Sequence, residues 1–368
     1  MNKILLFTDP HFCSYSSIVR KRGKKYSMRL ENQLETIRWL QQVAKSEDCA
    51  EIFCLGDFFD RPELNAEELT ALSEIEFGDV PFDFIVGNHE MGSADLTFSS
   101  SHSFLLNTHS LVYDKPAIVG LGNTMIYILP YQLEIDRLDD VMQYFPRVEI
   151  PESIKFRILL MHNDISGIQM GKFISKEGFS IENLSSNFDL VVNGHLHNQQ
   201  WIAKNVLNLG NITGQNFSED AFKYRHQALL IDCDTLDWKL IDNPYALNFY
   251  KLDFTRNSDI DSINKISSMI SRNGVIFAKV NLKDEKYVRY RFDPDYHNEE
   301  FDKLNLPRNQ NIIQSRIIID REVSCSSESF SNDVTDLHLD HLQEFQRYIL
   351  EELGNDDLVL SELQEVIR

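Results

Sequence analysis

The chain has no run approaching the ~18 apolar residues that a membrane-spanning helix needs, so no membrane span is expected. Cysteine is scarce: five in 368 residues, at positions 13, 49, 54, 233 and 325, with no CxxC pair. So odd and scattered a set excludes a disulfide framework and points to reduced thiols in a cytoplasmic setting. No segment repeats at a fixed period, which leaves no basis for a repeat architecture. The opening stretch MNKILLFTDPHF lacks the small-residue cleavage site of a secretory signal and is expected to be a first strand. Basic residues are in the minority, 36 Lys and Arg against 57 Asp and Glu, for a net charge of −21. That balance excludes a uniformly basic surface of the kind phosphate backbones favour. What remains, 42% hydrophobic and 25% charged residues, fits a soluble protein of two or three domains with one sizeable core.

The charge is unevenly spread. Residues 324–368 carry eleven acidic residues and two arginines, a net −9. Residues 20–29, RKRGKKYSMR, carry six basic residues and no acid, so local contact with a polyanion stays open.

Residues 1–245 alternate short β-rich runs with helical patterns. Strands are expected at 3–8, 51–55, 82–86, 117–121, 124–130, 157–162, 189–194 and 228–234. Several are continuously apolar, as strands buried on both faces are. Residues 29–46 place Leu30, Leu34, Ile37, Leu40 and Val43 at helical spacing. The reading is an α/β layered domain, with the β-rich stretch near 200–245 forming a second sheet or a sandwich.

From 246 to 322 the rhythm changes to a small α+β module: FYKLDF, a helix near 259–271, VIFAKVNL, KYVRYRF, a helical or loop stretch near 295–304, and IIQSRIIID. A Ser-rich linker follows at 323–333. Residues 334–368 then read as two short helices. Leu342, Phe345, Ile349 and Leu353 make one apolar stripe, and Leu360, Leu363 and Ile367 another. Gly354 stands at a C-cap, and Asn355 or Asp356 can cap the next helix. Two helices this short cannot bury both stripes alone, so they dock on their own chain or on a partner.

Five clusters place His, Asp or Asn directly after an apolar strand: TDPHF (8–12), LGDFFDR (55–61), VGNHE (86–90), LMHND (160–164) and NGHLH (193–197). Strand ends are where open α/β sheets hold ligands, so five such ends from one sheet would converge on one crevice. Each alone has a plain alternative. Asp-x-His and Gly-Asp occur in capped turns, Gly-Asn-His suits a tight turn, and a single buried histidine needs only a hydrogen bond. Gly-His-Leu-His says more, because side chains at i and i+2 of an extended segment share a face. Imidazoles beside carboxylates suit divalent transition metals.

In this order, D-x-H, G-D, G-N-H-[DE], H, G-H-x-H, the motifs resemble those of the calcineurin-like metallophosphoesterase superfamily over residues 9–197. Within it the chain is most similar to SbcD-type double-strand-break nucleases, including the recombination endonuclease subunits of large phages. GDFFDRPE, the separate module and the helical tail carry that narrower likeness. The resemblance implies a layered β-sandwich domain flanked by helices, a capping module and a partner-binding tail. It implies two divalent cations, Mn²⁺ or alternatively Mg²⁺. Asp9, His11, Asp57 and His197 would hold one, Asp57, Asn88, His162 and His195 the other, with Asp57 bridging. His89 would serve the leaving group as proton donor or orienting residue, turned aside from Asn88 by strand alternation. Glu90 stands where many relatives have Asp.

The basic run Arg20, Lys21, Arg22, Lys24 and Lys25 follows the first motif directly, a position suited to the DNA path, and a solvated loop is the plain alternative. Arg61 either grips a phosphate or pairs with acidic neighbours. Phe98, Phe104, Leu105 and Leu106 fall where relatives build a homodimer face, or in ordinary core. The tail stripes would bind the coiled coil of an SbcC-type ATPase. The setting would be the cytoplasm of a bacterium or a phage-infected host.

The function expected is therefore a two-metal DNA exonuclease and endonuclease of a recombination and repair complex, attacking phosphodiesters with activated water. A phosphoprotein or small-molecule phosphatase is the alternative, although Val86 and Pro62 replace that branch's arginine and glycine. A non-catalytic scaffold is the third reading.

Overall fold

The continuously apolar runs become strands covered on both faces. In the computed structural model the described residues are 2–320, apart from 76–79, 93–95, 98, 107–109, 134–139, 171–172, 257, 305 and 307. The chain divides into two units, Met1–Asp320 and Arg321–Arg368. The expected linker and helical tail lie outside the described residues.

The first half contains β1 (Lys3–Phe7), α1 (Met28–Ser46), β2 (Cys49–Cys54), α2 (Ala66–Leu72), β3 (Phe82–Ile85), α3 (Ser100–Leu106), β4 (Val112–Tyr113), β5 (Ala117–Leu121) and β6 (Thr124–Leu129). After a 3₁₀ turn at Val141–Tyr144 come β7 (Phe156–Met161), β8 (Gln169–Met170), β9 (Phe173–Ile174), α4 (Ile181–Asn187), β10 (Leu190–Asn193), β11 (Gln200–Ala203), β12 (Val206–Asn208), β13 (Gln227–Asp232) and β14 (Trp238–Asp242). The last part holds β15 (Asn248–Phe254), α5 (Ile260–Ser268), β16 (Gly274–Asn281), α6 (Glu285–Phe292), α7 (Glu299–Lys303) and β17 (Ile312–Asp320).

Two six-stranded sheets form the layers, ordered β14-β13-β1-β2-β3-β4 and β11-β12-β10-β7-β6-β5. Alternation along β1 shows how they stack. Ile4 and Leu6 point inward and meet Ile126, Ile158 and Val192 of the other sheet. Leu5 and Phe7 point outward onto Leu30, Leu34, Ile37 and Leu40 of α1. The outer face of the second sheet is covered by Leu184, Phe145 and Phe179. The expected α/β layered fold is thus observed.

Two expectations change. The β-rich stretch near 200–245 is shared between sheets: β11 and β12 complete the second, whereas β13 and β14 return to the first, β13 antiparallel to β1. The motif-bearing strand ends come from both sheets, β1, β2 and β3 from one, β7 and β10 from the other. The crevice is the shared end of a sandwich, not the edge of a single sheet.

The 246–320 segment is a three-stranded parallel sheet, β15-β16-β17. One face packs Tyr250, Leu252, Ile276, Ala278 and Val280 against Ile263, Val288 and Phe292 of α5 and α6. KYVRYRF is helical, forming most of α6. Parallel strands need long crossovers, and α5 and α6–α7 supply them.

Candidate metal centre

The loops after β1 and β2 run side by side. Asp9 N–H donates to Gly56 O at 3.2 Å, His11 N–H to Asp57 O at 3.1 Å and Phe12 N–H to Phe58 O at 2.7 Å. Helix α1 holds the first loop from behind. Gln33 Nε2 donates to the carbonyls of Pro10 (2.7 Å) and His11 (2.6 Å), and buried Arg29 donates to His11 O at 3.2 Å. Asp9, His11, Asp57 and His195 all adopt left-handed backbone, with φ of 51°, 46°, 48° and 67°. That region is costly for residues bearing a Cβ, and such strain persists only where the surroundings over-determine it. Two glycines permit the close approach. A Cβ on Gly56 (φ 102°) would lie 2.1 Å from His162 Nδ1, and one on Gly87 would lie 2.1 Å from Asp57 Oδ1.

Three groups of potential ligand atoms result: Asp9, His11 and His197; His11, Asp57 and His89; Asp57, His162 and His195. His11 Nε2 lies 3.6 Å from Asp9 Oδ1 and 3.8 Å from Asp57 Oδ2. His197 Nε2 approaches within 3.2 Å of His11 Nε2 and 3.9 Å of Asp9 Oδ1. On the other side, His162 Nε2 is 3.2 Å from both Asp57 Oδ2 and Asn88 Oδ1. His195 Nδ1 reaches Asn88 Oδ1 at 3.0 Å. His195 N–H also donates to Asp9 Oδ2 at 3.0 Å, which stitches the two sheets together at the cluster.

The two histidines after β10 therefore face opposite ends of the cluster, and the reason differs from the expected one. The left-handed turn at His195 breaks the extended alternation, so they share no strand face. His89 is likewise turned by a reverse turn, Met91 N–H to Asn88 O at 3.2 Å, rather than by alternation. Its Nδ1 lies 2.6 Å from Asp60 O, and its N–H donates to Asp57 Oδ1 at 2.9 Å. A carbonyl only accepts, so Nδ1 carries a proton and Nε2 is left toward the cluster, 4.0 Å from Asp57 Oδ2. Its ring packs edge-on against His11 at 4.5 Å, and its side chain is 38% exposed, against 0–2% for Asp9, His11, Asp57 and His162. Glu90 is fully buried and faces away. It accepts N–H bonds from Phe59 (2.9 Å) and Gly87 (2.8 Å), tying the second and third motif loops together.

Three further carboxylates touch the histidines. Asp60 Oδ1 lies 3.4 Å from His11 Nδ1, and Asp164 Oδ1 lies 3.3 Å from His195 Nε2. Both stand inside the motifs, within a few residues of a recognised position. Glu219 Oε1 lies 2.9 Å from His197 Nδ1, and Glu219 also accepts from Asn211 Nδ2 and Gln215 N–H. Nothing local in its sequence marks it, because the loop after β12 brings it back from outside the motifs.

The other expected contacts separate. Arg61 pairs with both oxygens of buried Glu68, at 2.8 and 2.9 Å. Arg22 pairs with Glu67 at 2.8 Å and Lys25 with Glu74. Lys21 Nζ lies near Asp295, and Arg20 and Lys24 are exposed. Leu105 and Phe104 belong to the core against α1's sheet face, Leu106 is exposed, and Phe98 lies outside the described residues. So do Leu342, Phe345, Ile349, Leu353, Leu360, Leu363 and Ile367.

The donor set fits divalent cations. Asp9 Oδ1 is buried without a hydrogen-bond partner, and two imidazole nitrogens face each other at 3.2 Å across it. Burial pulls His11 down, but Asp60, Asp9 and Asp57 outweigh it and raise it to about 10. Burial opposes His162 likewise, and Asp57 and Asp9 raise it to about 9. Burial pushes Asp57 up, yet His162, His11 and His89 hold it well below the usual carboxylate range. The carboxylates thus demand positive charge, which protons supply to the imidazoles and metal ions supply in their place.

Among solved structures, a novel archaeal phosphodiesterase is similar at 13% identity, over 65% of this chain and 99% of that one, with a TM-score of 0.34. The calcineurin-like phosphoesterase YfkN from Bacillus subtilis is similar at 12% identity, over 65% and 88%, with a TM-score of 0.33. TT1561 of Thermus thermophilus gives 12% identity over 66% and 98%, with a TM-score of 0.36. No curated protein matches the chain. The calcineurin-like phosphoesterase family model matches residues 2–199, the span that carries every one of the five strand-end motifs. With its clustered imidazoles and carboxylates at the shared end of two sheets, the chain belongs to the calcineurin-like phosphoesterases, a family of metal-dependent phosphoester hydrolases.

Proposed function

We propose that this phosphoesterase is a DNA nuclease, the hydrolytic subunit of a recombination and repair complex with an SbcC-type ATPase. The observation that carries the reading is the complete strand-end motif set joined, in one chain, to a separate sheet module and an acidic, apolar-striped tail. Asp9, His11, Asp57 and His197 would hold one cation and Asp57, Asn88, His162 and His195 a second, Mn²⁺ or Mg²⁺. Such a pair supplies charge for the phosphoryl oxygens and lowers the pKa of water.

The chain's own groups do the rest. Asp60 O fixes the His89 ring through Nδ1–H, so a proton on Nε2 is aimed at the leaving oxygen of a bound phosphodiester. Glu90 holds the loops bearing Asp57 and Asn88 at a fixed spacing. His195 N–H orients Asp9.

Monoester phosphatases of similar motif would need a free cation at positions 61 or 86. Here Arg61 is committed to Glu68, and Val86 is fully buried. Both observations favour the diester.

End-labelled linear duplex DNA incubated with the protein in Mn²⁺ should be degraded, and EDTA should stop it. His89→Ala should bind both metal equivalents while cleavage falls about 10²–10⁴-fold. Loss of metal from that variant, or hydrolysis confined to monoesters, defeats the reading. The two tail stripes would dock on the ATPase coiled coil, and removing 334–368 should end co-purification with it while metal content stays intact. Co-purification that survives the truncation rules the tail out as the docking element.

A further inference from the structure

The three-stranded module has a second face. At its start Phe249 and Val275 pack with Val19 of the first motif loop and with Leu247. Farther along the face opens, and strand register places three side chains in one row. Lys251 pairs with Phe277, and Phe277 with Arg316. Neighbouring strands lie about 4.8 Å apart, so the half-buried ring sits between two exposed cations. The pattern is confined to that row: the next holds an acid, a cation and an aliphatic side chain, Asp253, Lys279 and Ile318.

The first row is chemically unusual on a chain of net charge −21. Arg22, Lys25 and Arg61 are each neutralised by a glutamate. Among the described residues, Lys251, Arg316 and Arg20 have no ion-pair partner. Phe277 also meets Phe217, with ring centroids 5.7 Å apart. Phe277, Phe217 and Arg316 border a cleft of about 520 Å³ whose other wall includes Ile18 and Arg20, and Lys251 lies outside it on the far side of Phe277. Gln314 closes its base, donating to Ile18 O at 2.5 Å and accepting from Arg20 N–H at 3.0 Å.

Part of the lining lies on loops that also carry residues at the metal cluster. Ile18 and Arg20 follow His11 on the first motif loop. Phe217 stands two residues before Glu219, which braces His197, and Gln215 Nε2 donates to Asp9 O at 3.3 Å.

We propose that this cleft is a single-strand subsite: an unpaired nucleobase stacks on Phe277 and Phe217, one flanking phosphate lies on Arg316 and Arg20 in the cleft, and the next reaches Lys251 on the strand beyond the ring. Aromatic platforms within cationic grooves hold single strands this way without reading sequence. A base pair within a duplex offers no free π-face, so the ring would be idle there. A phosphopeptide would use the cations and leave the rings bare. The inference rests on the nuclease reading, because it takes the bound strand to be the one whose phosphodiester enters the metal centre. It adds that the strand is unpaired there, so the enzyme acts on frayed or single-stranded termini.

The test uses the full chain in EDTA, with a labelled oligothymidylate of about 15 nucleotides, a blunt duplex and an abasic oligomer as probes. Phe277→Ala should weaken oligothymidylate binding about tenfold and leave the abasic oligomer unchanged. Phe277→Tyr should retain wild-type affinity. Lys251→Gln with Arg316→Gln should reduce the slope of log K against log salt by about 1.4 on single strands. Hydrolysis of bis(p-nitrophenyl) phosphate in Mn²⁺ should be the same in every variant. Unchanged oligothymidylate binding by Phe277→Ala, an equal loss on the abasic oligomer, or a wild-type preference for the blunt duplex overturns the subsite. If DNA is degraded but Phe277→Ala binds normally, the nuclease stands and the subsite falls. If binding depends on Phe277 but no Mn²⁺-dependent cleavage occurs, the subsite stands and the nuclease reading falls.

Discussion

The two ends of the metal cluster are braced by different chemistry. His11 and His197 turn Nδ1 to carboxylates, Asp60 at 3.4 Å and Glu219 at 2.9 Å. His162 turns Nδ1 to the Leu55 carbonyl at 2.7 Å, and His195 has only the partly exposed Asp164 at 3.3 Å. A carbonyl fixes a ring's orientation without adding charge. A carboxylate fixes it, raises its basicity and adds negative charge near the ion. On the two-cation reading the Asp9–His11–His197 end would hold its cation more tightly, and the Asn88–His162–His195 end would exchange one. Asp57 Oδ2 lies 3.8 Å from His11 Nε2 and 3.2 Å from His162 Nε2, so it would serve both.

The largest effect should come from the shared residue. Asp57→Asn should lower metal content by equilibrium dialysis at both ends and reduce phosphodiester hydrolysis to background. Retention of one full-affinity site would show that Asp57 serves only one end.

Next, the braces should be separable. Glu219→Gln should weaken one of the two metal equivalents about 10–100-fold. Asp164→Asn should weaken the other only a few-fold, since a partly exposed carboxylate is screened by solvent. Equal losses in the two variants would erase the asymmetry.

The smallest effect should come from a carboxylate that serves neither end. Asp83, on β3, is pushed up to about 6 by burial and by Glu51 nearby. Its folded-state pKa thus exceeds its unfolded value. The folded state prefers the protonated form, and stability present below pH ~4 is lost as pH rises toward ~6. Asp83→Asn should therefore raise stability by about 1–2 kcal/mol at pH 8, give nothing at pH 4, and leave metal content unchanged. Paired urea titrations at the two pH values would show it. A gain equal at both pH values would mean that ionisation is not the cause.

Much of this molecule could be read along the chain. Ile4–Phe7, Ile52–Cys54 and Leu190–Val192 are apolar at every position, and only strands covered on both faces need that. Ligand types follow such strands directly because the chain has just left the sheet there, so one dimension preserves the motif. The seven candidate ligands and His89 were legible for that reason. Arg61 was not, since phosphate grip and ion pair look alike until Glu68 is placed in the first turn of α2.

By itself the sequence determined the layers, the strand ends and the residue types that gather at them. Side-chain period and strand hydropathy are local properties, and they survive in a string of letters. Tertiary structure alone decided the rest. The left-handed turn at His195 sends adjacent histidines to opposite ends of the cluster. A returning loop delivers Glu219 to His197. Strand register sets Lys251, Phe277 and Arg316 in one row, though 26 and 39 positions separate them along the chain. Each depends on what another part of the chain does at the same point in space, and no local pattern carries that.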